Sequence, residues 1–145
     1  MPLIGLVNIS LGFFSLVVSG FAGVFLATQS ADAFLSDSSV LQGWQHTLQA
    51  SAHGHTSLFG MIQILFGLTL PYARMSRKIQ IIQTLGLSGG VFAMSFLMIL
   101  RAFAGPSSSY DLLGMVIGLC LSSFFLAIMS HWFGLTSRIW NRNGL

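Results

Sequence analysis

The chain has 145 residues, with six basic and three acidic side chains, no glutamate, and a net charge of +3. Apolar residues make up 54% and charged residues 6%, a balance that excludes an ordinary soluble domain and fits one all-α domain, residues 1–145, embedded in a lipid bilayer. The cations are scattered rather than gathered into a stripe, which speaks against a nucleic-acid partner, and a lone Cys120 leaves no disulfide within one chain.

Four apolar segments follow in chain order, predicting a four-helix transmembrane bundle with spans at 3–28, 46–73, 79–101 and 111–133. The first has no cleavage-site pattern after a short apolar run, so an uncleaved helix is expected rather than a signal peptide. A polar stretch at 29–43, with Asp32 and Asp37, separates it from the second, which starts near Trp44 or His46 and ends at Pro71-Tyr72-Ala73. Arg74, Arg77 and Lys78 form a tight basic turn before the third. Arg101 and the loop Gly105-Pro106-Ser107-Ser108-Ser109 close that segment, and the fourth is followed by a tail with Arg138 and Arg142.

The basic turn and the basic tail outweigh the single Arg101 on the opposite side, so both termini are expected in the cytoplasm. In a bacterial host this is an inner-membrane protein with its acidic first loop in the periplasm. His46 then sits at the outer boundary, with His53 and His55 roughly 10 to 14 Å deeper at ~1.5 Å per residue. His131 falls near the cytoplasmic face, where a His131-Trp132 pair with Trp140 beyond reads as a headgroup anchor. His46 beside Trp44 allows the same reading.

His53-Gly54-His55 is the feature that singles out a function, because ionisable side chains at membrane depth are costly and mark sites. At ~100° per residue two positions apart, the rings point ~200° from one another, so they cannot clasp one ion but can serve a partner on either flank. Gln49, one turn before His53, is placed to hold a ring nitrogen and fix its tautomer. Arg101 suits a carboxylate or phosphate, or simply ends its helix, and Asp111 is placed to cap the fourth helix or pair with Arg101. Gln63 reads as a helix-to-helix hydrogen bond. Small residues at Gly20 and Gly23, Gly86 and Gly89-Gly90, and Gly114-x-x-x-Gly118 mark close approaches of helices, of subunits, or of a flat macrocycle.

The run Ala50-Ser51-Ala52-His53-Gly54-His55-Thr56-Ser57-Leu58-Phe59-Gly60, continuing to Leu70-Pro71-Tyr72, resembles a helix of the heme-copper oxidase superfamily's catalytic subunit, closest to the nitric oxide reductase branch. The resemblance implies that His53 matches the ligand of the high-spin heme and His55 that of the low-spin heme. It covers residues 50–72 of 145. Four histidines and four segments are too few for the family's binuclear centre, so oxidase or reductase activity is not carried over.

The expectation is a small membrane protein that binds heme b through His53 and His55, for electron transfer or gas binding in or beside a respiratory complex. A second axial ligand would come from His46 or from a second subunit, which favours a homo-oligomer, with Arg101 meeting the heme propionates. The alternatives are a non-catalytic accessory subunit of a larger membrane complex, and copper or zinc bound by histidines of neighbouring chains.

Overall fold

The structure, a computed structural model, describes residues 2–36, 43–106 and 111–142. Asp37 of the acidic loop and Ser107, Ser108 and Ser109 of the Gly-Pro-Ser loop lie outside them. The described residues form α1 (Leu3–Leu35), α2 (Trp44–Thr69), α3 (Arg77–Ala104) and α4 (Leu112–Arg142), with no strand among them.

Each boundary has a local cause. α1 runs past the expected end near Thr28 because residues 29–35, in which Gln29, Ser30 and Asp32 are polar, contain neither glycine nor proline, and polar side chains alone do not break a helix. It ends where Ser36 turns back on Asp32, its N–H and Oγ both donating to the Asp32 carbonyl at 3.1 and 2.9 Å. α2 starts after the extended Gly43, whose carbonyl accepts from the Thr47 N–H and Oγ at 3.1 Å each. It closes as a tight turn, Leu70–Tyr72, in which Pro71 contributes no N–H. α3 carries Arg77 and Lys78 in its first turn, where cations oppose the helix dipole. That placement disfavours the helix slightly. α3 stops at Gly105, the only described glycine with positive φ, at 78°. α4 begins on Asp111, whose Oδ1 accepts from the Gly114 N–H at 2.6 Å.

Backbones meet where side chains are missing. A Cβ on Gly12 of α1 would lie 2.6 Å from the Gly60 carbonyl oxygen of α2, and one on Gly67 would lie 2.6 Å from that of Gly5. α3 and α4 pair likewise at Gly86, against the Ser123 carbonyl, and at Gly90, against the Phe124 ring. Gly12, Gly60 and Gly67 were not among the glycines the sequence singled out. Gly20 and Gly118, which were, face open space.

The core forms where α2, α3 and α4 converge. Phe59 stacks on the fully buried Phe124 with centroids 3.9 Å apart, and Leu70, Leu87, Val91 and Met94 complete the layer. Beside it α1, α2 and α3 share a polar layer. The Asn8 amide donates to Thr84 Oγ at 2.8 Å and the Gln63 amide to Ser88 Oγ at 3.0 Å. Gln63 therefore makes the interhelical bond expected of it.

α1, α3 and α4 are long and apolar enough to cross a membrane; α2 is not among the candidate spans. The reason is its polar half, residues 44–57, and α2 meets all three other helices, through Gly60 on α1, Gln63 on Ser88 of α3, and Phe59 and Phe66 on Phe124 and His131 of α4. Neighbouring helices rather than lipid solvate much of it. The described chain is an all-helical assembly compatible with a lipid bilayer.

Candidate cofactor site on helix α2

His53 faces α1. Its Nδ1 lies 2.9 Å from both the carbonyl oxygen and Oγ of Ser19, while Ser19 Oγ donates to the His53 carbonyl at 2.9 Å. Ser57 Oγ joins at 2.6 Å from Ser19 Oγ. Because a carbonyl can only accept, Nδ1 carries the proton and Nε2 holds the lone pair. The ring fills the notch left by Gly23, where a Cβ would lie 2.6 Å from Cε1 and 3.0 Å from Nε2. His53 is thus a keystone between α1 and α2, and Ser19, not Gln49, orients its ring. Gln49 only lines the same cavity.

His55 points elsewhere. Its Nδ1 donates to the Ser51 carbonyl at 2.8 Å, one turn back in its own helix, with Ser51 Oγ at 3.3 Å and Phe59 edge-on at 6.0 Å. Its Nε2 also keeps the lone pair, but here the ring is exposed. The opposed directions expected from the two-residue spacing are present in the structure, and the two environments differ sharply.

The surroundings test what each ring could hold. The cavity bordering His53 has a volume of about 160 Å³, close to the roughly 150 Å³ that holds one benzene ring. The edge of the His53 ring is itself packed against α1 at Gly23. Around His55 the open face of α2 carries Ala50, Gly54 and Leu58, with Ser51 half-buried, and a Cβ on Gly54 would meet nothing within 4 Å. That face is open to whatever surrounds the bundle.

The remaining candidates fall into other roles. His46 lines a polar recess with Gln29, Asp32, Trp44 and Gln49. It stands nine residues before His55, half a turn round the helix and ~13.5 Å along it, and ~10.5 Å from His53, so it completes no bis-histidine pair within one chain. Arg101 pairs with Asp111 Oδ2 at 2.7 Å and lies over the Trp44 ring at 5.7 Å. Its charge is met by a carboxylate of this chain, and Asp111 fulfils both of its expected roles. His131 is corrected from headgroup anchor to buried helix contact: its ring packs on Phe66 at 4.3 Å and Nε2 is 2.8 Å from Thr69 Oγ. Its neighbour Trp132 is exposed. Among the described residues no group of three His, Cys, Asp or Glu side chains is placed to hold a metal ion.

No family model, curated protein or solved structure matches this chain. The class it belongs to is set by its own fold: an all-helical, membrane-compatible protein with three helices long and apolar enough to cross a bilayer. Within that class the reading of the histidine helix rests on geometry.

Proposed function

We propose that the chain is a small integral membrane protein that binds heme b, with His55 as an axial ligand. One observation carries the reading: the Ser51 carbonyl fixes Nδ1–H, so Nε2 of His55 is presented as a lone-pair donor on an open face of α2. Hydrogen bonding of the far nitrogen to a carbonyl is how ligating imidazoles are oriented and made more basic. Bound heme would supply a one-electron couple or a binding position for a diatomic gas. His53, which resemblance alone would make a second ligand, serves in this proposal to dock α1.

The opposite axial position is filled from outside the chain, by His55 of a second copy or by a partner subunit, which makes a homodimer the simplest assembly. Ultraviolet-visible spectra of the purified protein, oxidised and then reduced with dithionite, test this directly. Sharp reduced α and β bands with one heme per two chains are the expected result. A featureless spectrum after expression with ample heme would overturn the proposal and favour an accessory subunit.

In the same proposal α2 is a fourth span and both termini are cytoplasmic, as in a bacterial inner membrane. At ~1.5 Å per residue its 26 residues reach ~39 Å, enough for a hydrocarbon core of ~30 Å. Three of its polar side chains find partners inside the bundle: His53 at Ser19, Thr56 at the Ala52 carbonyl, and the Gln63 nitrogen at Ser88 and Asn8. In a Cys120→Ala background, Ser36→Cys should react with an impermeant thiol reagent in intact cells and Ser76→Cys should not. The reverse labelling would invert the orientation.

A further inference from the structure

α1 is seated on α2 and α4 on α3, so the groove between α1 and α3, floored by α2, is left unclosed. Two adjoining cavities, of about 160 and 240 Å³, occupy it and share Val18, Thr56 and Ser95 in their walls. The sides are apolar, formed by Phe14, Val18 and Phe25 of α1 and Val91, Phe92 and Phe103 of α3. Five of these six, Phe14, Val18, Phe25, Phe92 and Phe103, are also exposed on the outer surface, so the groove reaches the face that lipid would cover. Ser95 is the central residue of a π turn, Ala93–Leu97, the kind of widened turn that recurs at binding sites.

An unanswered acceptor belongs to a side chain that borders the larger chamber. Gln63 lines it, is 1% exposed, and its Oε1 is buried with no hydrogen-bond partner. The orientation of that amide is fixed by its neighbours. Asn8 donates through Nδ2 to the Ile4 carbonyl and to Thr84 Oγ, so its Oδ1 faces Gln63 and draws the Gln63 nitrogen, at 3.5 Å, toward it. Oε1 is left as the free end. A buried amide oxygen without a donor is costly, and a ligand that brings one O–H recovers that cost.

We propose that this groove binds a lipophilic phenol or alcohol taken from the bilayer, its hydroxyl donating to Gln63 Oε1 and its apolar body running along Val18 toward His53. The volumes suit the assignment, since a cavity of roughly 150 Å³ accommodates one benzene ring, and two joined chambers take a ring and its chain. The inference goes beyond the heme reading and uses neither His55 nor its face.

The test compares 4-heptylphenol with heptylbenzene, the same molecule without its hydroxyl, on the full-length protein in detergent, reading bound ligand by equilibrium dialysis and stabilisation by the thermal midpoint. The phenol should bind about tenfold more tightly than the hydrocarbon. Gln63→Leu should abolish that preference, and Val18→Phe, which fills the shared wall without touching the polar floor, should weaken both probes about tenfold. Equal affinity of the two probes for the wild-type protein, or binding unaltered by Val18→Phe, would overturn the proposal. Val18→Phe keeps the test decisive if Gln63→Leu fails to fold. Pigment is read separately, so a colourless protein that prefers the phenol refutes the heme reading alone.

Discussion

His55→Ala protein, expressed with ample heme, is expected to purify without a Soret band, while His53→Ala protein keeps its pigment. The two histidines are chemically alike, with Nδ1–H tied to a backbone carbonyl and the lone pair on Nε2. What separates them is the far side of the ring. Nε2 of His53 lies against the Gly23 notch of α1, whereas His55 stands on an exposed face of α2. His53→Ala should instead weaken the seating of α1 on α2 by about 1 kcal/mol, the scale of interhelical hydrogen bonds within membranes. Pigment lost only from His53→Ala would reverse the assignment and require α1 to swing aside.

Gly12→Leu is expected to be among the most destabilising single changes in the molecule, at about 3 kcal/mol or more. A Cβ there would lie 2.6 Å from both the Gly60 carbonyl oxygen and Ile64 Cγ1, and 3.0 Å from the Ile64 nitrogen, so two of its three nearest obstacles are backbone. Backbone cannot rotate away, and α1 must lift from α2 along its length. Gly20→Leu, two turns further along the same helix, meets nothing within 4 Å and should change stability by about 0.5 kcal/mol or less. Thermal unfolding of both variants in detergent, followed by the helical signal, checks the pair; equal midpoints would mean that the α1–α2 contact is not close. If α1 does lift, the Ser19–His53 bonds are lost as well.

Much of the helical layout was legible because apolar runs, Pro71, Gly105 and the Asp111 cap are local signals. The ends were less so: α1 continues through Gln29–Leu35, because a polar composition says where water is rather than where a helix stops. Partners across the bundle were mostly beyond reach. Gln49 is the helical neighbour of His53 in sequence, yet Ser19, 34 residues away, holds the ring. His131 beside Trp132 looks interfacial as a pair, but successive residues lie ~100° apart on a helix, so one is buried on Phe66 while the other is exposed.

The sequence by itself determined the class, since a chain with 54% apolar and 6% charged residues and long unbroken apolar runs has few ways to fold outside a bilayer. It also determined that His53 and His55 diverge, because helical period and a spacing of two leave no alternative. Tertiary structure decided which of the two meets a neighbouring helix and which meets the outside. It decided that Arg101 is answered by Asp111, and that a groove remains between α1 and α3 with Gln63 Oε1 beneath it. These outcomes depend on which glycine notches face which helices, and that choice is made by packing between segments far apart in the chain.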